Sequence, residues 1–200
     1  MAGRDVTDRL RALSRKSGLN LTTTAEADLA SAMKEDACYV ARAPAPGEDD
    51  RDAGSGAGDA AAPRSPYQLP DGQVVELGDE RHRAPEVLFR PSLLGSEALP
   101  VHDVLLTAIR RSDLDLRATL FANVVLAGGT AMLLGLGDRL LYEVRARAPE
   151  RTRMRISAPP ERKESAWVGG SILASLATFK NMWVSRSDYE EQGARILHRG

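Results

Sequence analysis

Apolar positions recur at helical spacing from the first residues of the chain: Val6, Leu10 and Leu13 form one face, Asp5 can cap the free N–H groups of the opening turn, and Gly18 ends the helix. A second helix opens at Thr23, with Glu26 at capping-box spacing, and is expected to turn Leu29, Ala32 and Met33 inward before Cys38-Tyr39-Val40. Tyr67 to Leu77 reads as a hairpin, because Pro70-Asp71-Gly72 supplies the fixed φ and the glycine that a tight turn between short strands demands. Pro85 starts a short turn through Phe89 and Pro91 stops it. Val104, Leu105, Ala108 and Ile109 mark the inward side of a helix from Val101 to Arg111, and Asp113-Leu114-Asp115 breaks and restarts it.

The chain is organised around the stretch Thr119 to Arg147. A continuous apolar run, Val124 to Ala127, meets Gly128-Gly129-Thr130, and Leu136, Leu140, Leu141 and Val144 then return to helical spacing. This predicts a strand, a turn and a helix. A strand apolar on both faces belongs inside a sheet covered on both sides, and a glycine turn opening onto a helix N-terminus leaves N–H groups that an anion can approach. Taken alone, the same stretch suits a purely structural strand-to-helix turn better. Met154 to Ser157 alternates as a second short strand and runs into Pro159-Pro160, whose rigid, extended path presents Lys163 from a fixed turn. The remainder carries Trp167, Ile172, Leu173, Leu176, Phe179, Met182 and Trp183 as one helical face, and Gly169-Gly170 within it suggests close packing against another element. The pattern as a whole is layered α/β.

Composition narrows the function classes. Apolar residues make up 42% of 200, enough for a core, and the formal net charge of −1 supplies no basic field for nucleic acid or an anionic membrane. Neither partner is expected. Cys38 is the sole cysteine, so an internal disulfide is excluded and a reducing compartment fits. No signal-peptide pattern opens the chain, and no apolar run reaches the roughly 18 to 20 residues that span a bilayer. His82, His102 and His198 lack neighbouring ligands for zinc. From Ala43 to Pro66, proline, glycine, alanine and aspartate predominate, and a mobile loop is expected there.

Several runs acquire a further meaning together: Ala2-Gly3-Arg4-Asp5 with Thr7-Asp8, Thr22-Thr23-Thr24-Ala25-Glu26, Lys34-Glu35, Cys38-Tyr39-Val40, Leu69-Pro70-Asp71-Gly72-Gln73-Val74 and Ala84-Pro85-Glu86. Leu94-Gly95, Gly128-Gly129-Thr130, Ala158-Pro159-Pro160-Glu161-Arg162-Lys163, the run Trp167-x-Gly169-Gly170-Ser171-Ile172-Leu173-Ala174-Ser175-Leu176 and Met182-Trp183 continue the series. Together they resemble the actin family over the whole chain except Ala43 to Pro66. Gly137-Asp138-Arg139-Leu140-Leu141, Phe179-Lys180 and Tyr189-Glu190-Glu191 look closer to actin-related proteins of the centractin type, a component of the dynein activator complex.

The resemblance implies an α/β chain corresponding to the second half of the actin-like (ribonuclease H-like) ATPase fold, with an incomplete sheet. Its expected parts are an outer helical subdomain, 1–96, with the hairpin and the loop; an inner α/β subdomain, 97–164; and a helical segment, 165–200, packing on the missing first half. By motif matching, Gly3 lies at the cleft edge, Lys34 and Glu35 reach the adenosine, Gly128, Gly129, Thr130 and Met132 line sugar and adenine, and Lys163 closes over the base. In their own chemistry Lys34, Glu35 and Lys163 are also ordinary solvated charges. The implied ligand is ATP or ADP in a partial site, with Mg only if the missing half is supplied. The family's phosphate loops and metal carboxylate precede the matching region, so no ATPase activity is expected of the chain as given. Leu133 stands where actins usually carry an aromatic, and Ser31 replaces a basic residue. The turn Leu93 to Ser96 resembles an apolar plug that bridges strands in filaments. Implied partners are actin-like filament subunits or a dynein-activator-type complex, and chaperones, in the cytoplasm and cytoskeleton. The alternatives are a nucleotide-independent scaffold subunit or a fragment without an independent role.

Overall fold

Helix α1 (Gly3–Lys16) begins ahead of the expected cap: Ala2 is the capping position, and the Asp5 carboxylate, one turn in, accepts the Ala2 N–H at 2.6 Å. Its inner face is as the spacing requires, with Val6, Leu10 and Leu13 at most 7% exposed. Each such buried side chain contributes about 1.5–3 kcal/mol. In this computed structural model residues 1–43, 64–149 and 152–198 are described. Residues 44–63, most of the segment expected to be a mobile loop, lie outside them. The chain divides into two compact units, 1–163 and 164–200.

Helix α2 (Thr24–Ala37) carries the capping box that the sequence spells: Thr23 Oγ1 accepts the Glu26 N–H, and Glu26 Oε2 accepts the N–H groups of Thr22 and Thr23 at 2.6 and 2.7 Å. These bonds hold the Glu26 carboxyl below its ordinary pKa, the Thr23 N–H most strongly. The helix buries Ala30 and Met33 against α1, while Ala32, expected inside, is exposed. Strands β1 (Ser65–Gln68) and β2 (Val74–Leu77) form an antiparallel hairpin closed at Gly72, where φ is +85°. A short helix α3 (Glu80–Arg83) and two 3-10 turns, Pro85–Leu88 and Pro91–Leu94, follow. Pro91 therefore opens a second turn as well as ending the first, since its fixed φ suits a first helical position.

In α4 (Val101–Arg111) the buried face is His102, Leu106 and Ile109; Val104 and Ala108 point outward, contrary to the apolar pattern. Helix α5 (Leu114–Ala122) buries Phe121 and leads into β3 (Val124–Val125), which pairs in parallel with β4 (Ile156–Ser157). Helix α6 (Leu136–Arg145) makes the crossover, and Gly137 brings it close to the sheet: a Cβ there would stand 3.6 Å from Leu126 and 3.8 Å from Ile156. The central strand is two residues long, and Val125 is 64% exposed, so the sheet is not covered on both faces.

The second unit contains α7 (Ser165–Ser175), a 3-10 turn Ala177–Met182, α8 (Arg186–Gln192) and a final 3-10 turn Gly193–His198. None of α7's side chains is buried; Trp167, Ile172, Met182 and Trp183 are all exposed, and Phe179 meets Trp183 edge-on at 6.1 Å.

Candidate functional site

Strand β3 delivers the chain to Gly128, whose φ of +92° only glycine adopts readily, and whose N–H donates to the Arg162 carbonyl at 2.8 Å. The glycine pair opens onto a 3-10 turn, Gly129–Met132, rather than onto a long helix; α6 starts only after Gly135. Four residues sum too few peptide dipoles for an anion site of the helix-terminus kind. The loop offers space instead. A Cβ built on Gly128 or Gly129 meets nothing within 4 Å, so one side of the loop is open to a flat group.

The loop is fixed by Arg162. Its Nε donates to the Ala131 carbonyl at 2.7 Å and its Nη2 to that of Met132 at 3.4 Å, while Nη1 donates to the Pro159 carbonyl at 3.0 Å. One planar guanidinium thus ties the glycine turn to the turn Pro159–Arg162, from which Lys163 emerges. Sequence patterning gives no sign of this residue, because its partners in the glycine turn are carbonyls some thirty positions away.

Gly3, Lys34 and Thr130 come together. A Cβ on Gly3 would stand 2.9 Å from Thr130 Oγ1 and 3.6 Å from Lys34 Nζ. Lys34 Nζ donates to Thr7 Oγ1 and Ser31 Oγ, each at 3.2 Å, and lies 3.5 Å from the Gly3 carbonyl. The start of α1, the last turns of α2 and the glycine turn therefore meet at one point, and any side chain at position 3 would force Thr130 to move. Beside them Lys163 Nζ stands 3.8 Å from Glu35 Oε2, with the two side chains 55% and 58% exposed. An ion pair this open is worth about 0–1 kcal/mol, so both groups remain available to a ligand. Met132 closes the 3-10 turn with its side chain 40% exposed.

Hydroxyl, ammonium and carboxylate groups around an open glycine loop suit a neutral, hydroxyl-bearing ring system such as a nucleoside. A carboxylate accepts from vicinal hydroxyls, and ammonium and hydroxyl donors suit ring nitrogens. Among the described residues no three His, Cys, Asp or Glu side chains are placed to hold a metal ion.

The family model for Actin matches residues 3–200. The chain is also 48% identical to an actin-like protein of Neurospora crassa over 203 aligned residues, which cover 99% of this chain and 51% of that protein. The chain belongs to the actin family. It spans about half the length of the curated relative it matches. Its mixed architecture of helices with small, incomplete sheets is the α/β fold class that the resemblance implied. Among the described residues no helix of this actin-family chain is long and apolar enough to cross a membrane. Two departures from the family pattern acquire a physical setting. Ser31 accepts from Lys34. Leu133 is 7% exposed and belongs to the core, so its side chain offers no surface to a ligand.

Proposed function

We propose that this actin-family chain contributes the adenosine-facing wall of an ATP or ADP site in a cytoskeletal protein of the centractin type, one that also makes filament contacts. The meeting of Gly3, Lys34 and Thr130, with Glu35 and Lys163 adjacent, supports this: residues from positions 3 to 163 converge on one open loop, and their chemistry fits a nucleoside. Glu35 and Thr130 are assigned to the sugar, Gly128 and Gly129 to clearance for the base, and Lys163 to the cover over it. Arg162 is a positioning residue that holds the loop. The nucleotide, when bound, supplies phosphates whose transfer needs a metal and an oriented water. The residues gathered here address neither, and turnover is assigned to a completed cleft rather than to this chain by itself. Actin-like subunits or a dynein-activator-type complex are the proposed partners, and the cytoplasm and cytoskeleton the proposed location.

A nucleotide-independent scaffold subunit is the second reading. It is favoured by Lys34, whose ammonium is already engaged by Thr7, Ser31 and Gly3.

Calorimetric titration with ATP separates the two. Weak binding that falls further in Lys163→Ala and Glu35→Ala supports the adenosine wall. Micromolar affinity unchanged in both variants overturns the residue assignment, and no binding at all favours the scaffold.

A further inference from the structure

Away from the candidate adenosine site, at the edge of the sheet, a hollow of about 620 Å³ is lined by Asn123, Arg145, Thr152, Arg153, Met154 and Arg155 among others. Its three arginines come from two elements. Arg145 ends α6, whereas Arg153 and Arg155 flank Met154 on the extended segment leading into β4. Alternate residues of an extended chain point to the same side, and burial agrees with that rule: Arg153 and Arg155 are exposed, whereas Met154 packs against the core.

Among the described residues, no Asp or Glu lines this hollow, and the guanidinium groups of Arg145, Arg153 and Arg155 have no ion pair or hydrogen bond. The contrast with other arginines is plain: Arg139, Arg147, Arg162, Arg117 and Arg11 all hold carboxylates or carbonyls of their own fold. Three like charges held around one concavity repel one another, a cost that an anion of several charges removes. Guanidinium forks match phosphate oxygens two at a time. Asn123 donates to the Thr119 carbonyl and Thr152 to that of Pro149, which leaves the Thr152 hydroxyl oxygen and the Asn123 side-chain oxygen as minor polar lining. The chain's formal net charge of −1 conceals this local excess of positive charge.

We propose that Arg145, Arg153 and Arg155 form a binding site for a compact, multiply phosphorylated small molecule, separate from the adenosine wall and independent of it. A volume of about 620 Å³ is that of a small-ligand site, and the three arginines around it call for a ligand of several negative charges.

Tripolyphosphate and inositol hexakisphosphate are the probes, titrated against the full chain by calorimetry at roughly 0.15 M salt, where exposed charges more than about 8 Å apart are largely screened. Binding of either probe that weakens by about tenfold or more in the Arg153→Ala/Arg155→Ala double variant, with Lys at both positions restoring part of it, supports the site. The tighter of the two probes shows whether a linear or a ring-borne array of phosphates is preferred. Arg4→Ala, an exposed arginine elsewhere, serves as the control and leaves binding unchanged. Absence of binding by both probes at low millimolar concentration overturns the proposal, as does an equal loss in Arg4→Ala. Adenosine, which lacks phosphates, keeps the two sites distinguishable: the double variant leaves adenosine binding as it was, and failure of the adenosine site leaves tripolyphosphate binding intact.

Discussion

Arg139 and Glu86 meet as a two-pronged ion pair closed off from water: Nη1 and Nη2 lie 2.9 and 2.6 Å from the two carboxylate oxygens, with the side chains 1% and 5% exposed. The same guanidinium donates through Nε to Glu143 at 2.8 Å and through Nη1 to the Ala41 carbonyl at 3.2 Å, and lies 4.7 Å over the ring of Phe89. It ties α6 to the 3-10 turn Pro85–Leu88 and to the chain following α2. Burial pulls its pKa down, but the hydrogen bonds it donates to Glu86 and Glu143, with their negative charge, outweigh that and raise it.

Removing one partner of such a pair strands the other charge in the core. Arg139→Met is expected to cost about 3–5 kcal/mol, whereas replacing Arg139 and Glu86 together with apolar residues costs markedly less. Urea denaturation of the single and double variants measures both. Equal losses would show that the ion pair itself, and not the stranded charge, carries the effect.

A neighbouring group makes stability depend on pH. His102 is 3% exposed and stacked on Phe89 at 6.0 Å, and among the described residues its Nδ1 has no hydrogen-bond partner. Burial first, then the Arg147 guanidinium, lower its pKa from 6.5, against the upward pull of Asp103 and Glu143. The unfolded chain therefore takes up the proton more readily. This contribution is complete above the unfolded value and is lost as pH falls below it, with a slope of up to about 1.4 kcal/mol per pH unit. Denaturation midpoints between neutral pH and the mid-acid range will show that decline, and His102→Gln will flatten it.

The elements that the sequence makes plain are those built from neighbours. Thr23 and Glu26 lie three residues apart, and their capping box forms as spelled; the Pro70-Asp71-Gly72 turn likewise depends on its own few residues. Where burial is decided at a distance the pattern misleads. The α4 face turns on His102, a polar residue drawn inside by Phe89, so Val104 is left outward at 52% exposure. The apolar run after Asn123 suggested a covered central strand, yet only two of its residues pair and Val125 faces outward. In the candidate site, glycine spacing and motif resemblance pointed to Gly3, Lys34 and Thr130. Arg162 stands in the same motif run as Lys163 but is not marked by it as a site residue, because its role rests on carbonyls that only the folded chain brings near.

Among the described glycines, Gly135 has the least room for a side chain. Its φ is +81°, and a Cβ added there would overlap the Val40 carbonyl oxygen, just where Val40 N–H donates to the Leu134 carbonyl at 2.8 Å. Strain and clash add, so Gly135→Ala is expected to lower stability by more than about 2 kcal/mol. Gly129→Ala, with open space around it, serves as the comparison and should change little in a thermal melt.

The central claim is that residues far apart in sequence form one wall facing an adenosine. Photolabelling of the chain with an azido-adenosine, followed by peptide mapping, tests it most directly. The account predicts label on peptides containing Lys34 and Glu35, Thr130 to Met132, or Lys163, competed by adenosine and reduced in Gly3→Val, whose side chain would crowd Thr130 and displace it. Label confined to other peptides, or label at these positions that excess adenosine does not compete away, would contradict it.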